Sequence, residues 1–136
     1  MIRRTLFVGL VALATTAPAK MQAPDPSGTY RCDGTSPNGR AYQGVVQIAR
    51  NGETYLLRWV TPAGVANVGV GVMTGNTLSV AFFGRSSGVI VYELNGNKRL
   101  TGEWTDLGSD GHLYKETLTK LAEGERVFVP QSGPVL

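Results

Sequence analysis

The sequence predicts an all-β fold of about eight antiparallel strands in an up-and-down meander, closed into a barrel. Three observations carry that prediction. From Gly28 to Lys120 apolar and polar residues alternate at period two. Turns rich in glycine and asparagine, Asn51-Gly52 and Asn95-Gly96 among them, break the alternation at short intervals. No ten-residue window shows the spacing of an amphipathic helix. Consecutive strands joined by tight turns pair antiparallel, and closing the sheet removes its two exposed edges. An open or split sheet is the alternative arrangement.

Residues 1–19 stand outside this pattern. Met1-Ile2-Arg3-Arg4 is a short basic head and Leu6 to Ala14 an apolar run. Ala17-Pro18-Ala19 follows as a small-x-small cleavage site, completing the anatomy of a secretory signal peptide. The run is shorter than the about 20 apolar residues that span a bilayer. Arg3-Arg4 raises a twin-arginine reading, but Ile2 stands where such signals carry a polar residue, which favours the general secretory route. Cleavage after Ala19 would leave 117 of the 136 residues, enough for one domain around one core. The expected location is periplasmic or secreted, with no stable membrane anchor after cleavage.

The elements follow in order. Residues 20–27, with Pro24 and Pro26, read as a linker, and the barrel domain is expected to cover 28–121. Gly28 to Cys32 is a short first strand, followed by a loop from Asp33 to Arg40. Tyr42, Gly44, Val46 and Ile48 then share one face of a strand that turns at Asn51-Gly52. The return strand places Tyr55, Leu57 and Trp59 on one face. Val68-Gly69-Val70-Gly71-Val72 has valines on one face and glycines on the other, which suits a curved sheet. Leu78, Val80 and Phe82 mark the next strand, and Gly88 to Leu94 the one after. Leu100, Gly102 and Trp104 share a face of the following strand, and Asp106 to Gly111 is a polar loop. His112 to Lys120 closes the series with Tyr114, Glu116 and Leu118 aligned. Residues 122–136 read as a loosely ordered tail, in which Val127-Phe128-Val129 is an apolar triplet.

Charge and reactive groups narrow the function classes. The signal inflates basicity: 13 Lys+Arg, less Arg3 and Arg4, leaves 11 against 10 Asp+Glu, a net charge of +1 instead of +3. A near-neutral chain with scattered charges lacks the clustered basic face of a nucleic-acid binder. Cys32 is the one cysteine, so an intramolecular disulfide is impossible, and a buried thiol is expected. His112 is the one histidine and lies in a polar loop; paired with Cys32 it would need the fold to bring the two together. The expectation is therefore no catalytic site, no metal and no cofactor. Asp106 and Asp110 lack the ligand density of a calcium loop.

Aromatic residues carry the positive signal, recurring on nearly every strand. Facing inward, they either fill a small barrel or line a pocket for one small ligand. Tyr55, Trp59, Tyr92 and Trp104 are the candidate lining. Glu116 joins them, because it lies on the apolar face between Tyr114 and Leu118 and a buried carboxylate needs partners. Tyrosine or tryptophan donors, Arg58 or Arg99 would each serve.

Gly28-Thr29-Tyr30, Tyr42-x-Gly44-x-Val46, Tyr55-x-x-x-Trp59, Gly88 to Tyr92, Leu100-x-Gly102-x-Trp104 and Glu116-x-Leu118 resemble the pattern of a group of small exported bacterial proteins. Some of these carry the automatic label "fibronectin-binding protein". The resemblance spans Gly28 to about Leu118 and implies a barrel with no catalytic residues to transfer. More distantly, Gly28-Thr29-Tyr30 is similar to the glycine-x-tryptophan opening of lipocalins and avidins, with tyrosine in place of tryptophan. The functional expectation is an exported, non-catalytic binding domain holding a small apolar ligand in the barrel. The alternative is a protein-interaction module, binding a host protein or inhibiting a protease through the loops Asp33–Arg40 and Asp106–Gly111.

Overall fold

A computed structural model describes residues 9, 11–16 and 23–127. The basic head and cleavage site of the signal, and the tail beyond Val127, lie outside the described residues. Eight strands follow one another: β1 (Gly28–Thr35), β2 (Ala41–Asn51), β3 (Thr54–Thr61), β4 (Gly64–Thr74), β5 (Thr77–Gly84), β6 (Gly88–Asn95), β7 (Arg99–Asp106) and β8 (Tyr114–Lys120). Each pairs antiparallel with the next, and β8 returns to β1 with Cys32 opposite Leu118, so the sheet is a closed barrel. The open-sheet alternative is thereby excluded.

Two ends of unequal character result. The short turns at Gly52, Gly75 and Gly96, of two, two and three residues and all with positive φ at the glycine, gather at one end with the chain's entry into β1. There Pro26 is buried, and the buried Tyr30 hydroxyl donates to its carbonyl at 2.8 Å. The segment read as a linker thus contributes its last residues to the barrel floor. Tyr30, Ile48, Tyr55, Leu57, Leu78, Leu100 and Leu118 pack this half solidly. At the opposite end lie the longer connections 36–40, 85–87 and 107–113.

Two boundaries differ from the sequence reading. β1 continues to Thr35 because Asp33 to Thr35 are paired with Gln43 to Ala41, which shortens the first loop to 36–40. β8 begins at Tyr114, since Asp110 and Gly111 adopt positive φ and the chain is still turning at His112. β4 settles which of its faces is internal: Gly69 and Gly71 point inward and Val68, Val70 and Val72 outward. A Cβ on Gly71 would lie 2.9 Å from Leu78 and 3.1 Å from Val80, so neighbouring side chains already fill that space. A bulge at Trp59/Val60 adjusts the pairing of β3 with β4 near the open end.

Candidate ligand cavity at the open end of the barrel

One inward row of residues builds the site. Glu116 on β8 lies between two glycines, Gly34 of β1 on one side and Gly102 of β7 on the other. Beyond each glycine stands a tyrosine, Tyr42 of β2 opposite Gly34 and Tyr92 of β6 opposite Gly102. Across five adjacent strands the row therefore reads Tyr-Gly-Glu-Gly-Tyr. The missing side chains are the space the rings occupy: a Cβ on Gly102 would fall 2.7 Å from the Tyr92 ring, and one on Gly34 would collide with Tyr42. Both phenols thereby reach the carboxylate.

Tyr42 donates to Glu116 Oε1 at 2.9 Å, and Tyr92 donates to Oε2 in a short hydrogen bond. Trp59 Nε1 donates to Oε2 at 3.4 Å, a longer and weaker contact. Glu116 is 4% exposed and is the one buried residue among the Asp, Glu, Lys, Arg and His side chains of the described residues. Three donors stand in for the water lost on burial, which is what such a group requires. Its partners are thus the tyrosines and a tryptophan; Arg58 and Arg99 are exposed and make no ion pair with it. Burial first, and then the Glu116 charge, push the Tyr42 and Tyr92 phenols above their ordinary range, so both stay protonated donors.

Above the carboxylate the aromatics form a partial cage. Trp59 and Phe82 lie 5.9 Å apart between ring centroids, Phe82 and Trp104 6.3 Å, and Tyr42 and Trp104 6.5 Å. Tyr114 backs Trp104 at 5.0 Å. Tyr42, Trp59, Phe82 and Trp104 line a half-open cavity of ≈ 270 Å³, whose wall also includes Glu116, Asn67, Arg85 and Ser86. Trp104 Nε1 is buried there with no hydrogen-bond partner.

Of the candidate residues, Trp59, Trp104 and Glu116 line this cavity. Tyr92 is fully buried and meets the site through its hydroxyl on Glu116. Tyr55 does not reach it: opposite Gly71 near the Asn51-Gly52 turn, it belongs to the packed half. Tyr42 and Phe82 are lining residues the sequence reading did not single out. The pairing of tyrosines with glycines across strands was the available signal, but only the register reveals it.

The remaining reactive groups are separate from one another. Cys32 is buried inside the barrel, and burial, followed by the neighbouring Glu116 charge, raises its thiol well above the ordinary range. His112 is exposed on the 107–113 loop, so the two form no dyad. Asp106 accepts from Ser109 Oγ at 2.5 Å and from the Gly108 amide at 3.1 Å, an arrangement that shapes its own turn. No group of three metal-ligating residues occurs among the described residues.

Among solved structures the chain is similar to one described as a redesigned beta barrel, with a TM-score of 0.60 at 18% identity, covering 71% of this chain and 92% of that one. No protein-family model and no curated protein matches the sequence. The class is therefore fixed at the level of fold, a closed eight-stranded antiparallel barrel.

Proposed function

We propose that this chain is an exported, non-catalytic binding domain that holds one small, largely apolar ligand in the open half of its barrel. The observation that carries this reading is the cavity of ≈ 270 Å³ walled by Trp59, Phe82 and Trp104 beside a hydrogen-bonded Glu116. Aromatic walls with a few placed polar groups are the usual make-up of small-molecule sites. The volume is just below the range of about 300–1,000 Å³ for drug-sized ligands, which points to a molecule of one or two rings. Export rests on the signal-like residues 1–19.

A second reading has its own observation. The connections 36–40 and 107–113 flank the same end of the barrel, and Leu107 there is 93% exposed. Such a rim suits a protein partner, as expected of a host-protein-binding or protease-inhibiting module. Native mass spectrometry on protein purified from the cell that exports it separates the two. A retained small molecule at one per chain supports the cavity. Bare chain accompanied by a protein partner, lost when Ser36–Arg40 is replaced by a Gly-Ser linker, favours the rim instead.

A further inference from the structure

The carboxylate in the cavity wall has acceptor capacity and no counter-charge. An ionised carboxylate offers about four lone-pair sites. Tyr92 and Trp59 donate to Oε2 and Tyr42 to Oε1, and the Cys32 thiol adjoins the same carboxylate; all of these groups are formally neutral. The ion pairs among the described residues are Arg31–Asp33 and Lys115–Glu103, both on the outer surface and neither involving Glu116. Arg85 is the one cation among the cavity's lining residues; its side chain is exposed and makes no ion pair with Glu116. Tyr42, Trp59, Phe82 and Trp104 line the same cavity as the carboxylate, and aromatic ring faces attract a cation held within about 6 Å. A single buried anion within an aromatic cage is a selector for charge as well as for shape.

We propose that the cavity takes a small aromatic or aliphatic amine in its ammonium form, the ammonium donating to Glu116 and the apolar body packing between Trp59, Phe82 and Trp104. This rests on the reading of the cavity as a ligand site and specifies the ligand's chemical class. An ammonium neutralises Glu116 through a charge-assisted hydrogen bond. A neutral isostere gains the packing and one ordinary hydrogen bond. An anion of the same size meets like charge at close range.

Three ligands of matched size test this against wild-type protein: phenethylamine, 2-phenylethanol and 3-phenylpropionate, titrated at neutral pH by calorimetry and by tryptophan fluorescence. The expected order is the amine at least about tenfold tighter than the alcohol, with the carboxylate weakest. In Glu116→Gln, the amine's advantage over the alcohol should fall to about threefold or less while alcohol binding persists. Alcohol binding equal to or tighter than the amine in wild type overturns the amine assignment and leaves the cavity reading standing. Carboxylate binding tightest overturns it as well. Saturable binding of none of the three overturns both. The wild-type ranking decides the question even if the Gln variant does not fold.

Discussion

Glu116 accepts its two shorter hydrogen bonds from inward tyrosines at defined register positions. Tyr92 is the deeper of the two and fully buried, so its hydroxyl has no route to water. Tyr92→Phe should lower unfolding free energy by about 1–3 kcal/mol in urea titrations, the cost of leaving a charged acceptor short of a donor. Trp59→Phe should cost less, because its 3.4 Å bond is long and the side chain is partly exposed. Gly102→Ala places a methyl 2.7 Å from the Tyr92 ring, and overpacking of this kind costs about 1–3 kcal/mol. It should also displace Tyr92 from Glu116, visible as a changed tyrosine signal in near-ultraviolet circular dichroism. That Trp59, Trp104 and Glu116 face the barrel interior, where they line the cavity, was legible because each shares a face with apolar neighbours along its own strand. Tyr42 was not, since its role depends on Gly34 lying opposite it and on Glu116 one strand further. Tyr55 misled for the complementary reason: alternation gives the face a residue occupies but not its depth along the barrel axis.

At the scale of the strand, β4 shows how far alternation reaches. Its period-two pattern was plain, yet an alternating valine-glycine strand invites the guess that valines face the core. Inside, Leu57, Leu78 and Val80 already occupy the volume next to Gly71, so the small residues take the inner positions and the valines the outer ones. A sharp asymmetry between neighbours follows. Val70→Thr, on the outer face, should change stability by no more than about 0.5 kcal/mol. Gly71→Val should destabilise by several-fold more or prevent folding, because its methyls have nowhere to go. Thermal melts of the two variants check this pair directly. The hairpin turns were legible for a local reason, since Asn51-Gly52 and Asn95-Gly96 supply the positive φ that tight turns need. The extension of β1 to Thr35 was not, because it comes from pairing with β2 and β8.

Over the whole molecule the barrel divides into a packed half that supplies stability and an open half that tolerates a cavity. The division has a signature at alkaline pH. Burial raises the Tyr30 phenol to about 12 and pushes Tyr42 and Tyr92 up as well. An unfolded chain ionises its tyrosines near pH 10, whereas these three stay neutral while folded. Stability tied to them is therefore complete below about pH 10 and declines as pH rises above it, because only the unfolded state releases those protons. Phenolate absorbance should show a group of tyrosines, Tyr30, Tyr42 and Tyr92, that ionise only as the fold is lost. Simultaneous titration of all five tyrosines near pH 10 with the fold intact would contradict the burial described.

The central claim is that the open half of the barrel is a ligand site, and both tryptophans of the chain, Trp59 and Trp104, stand in its wall. Titration with the neutral, environment-sensitive two-ring dye prodan, followed by tryptophan fluorescence, therefore tests it most directly. The expected result is saturable binding of one dye per chain, with tryptophan emission quenched in parallel with enhanced, blue-shifted dye emission. Dye emission that rises without saturation, with tryptophan emission unchanged, would contradict it.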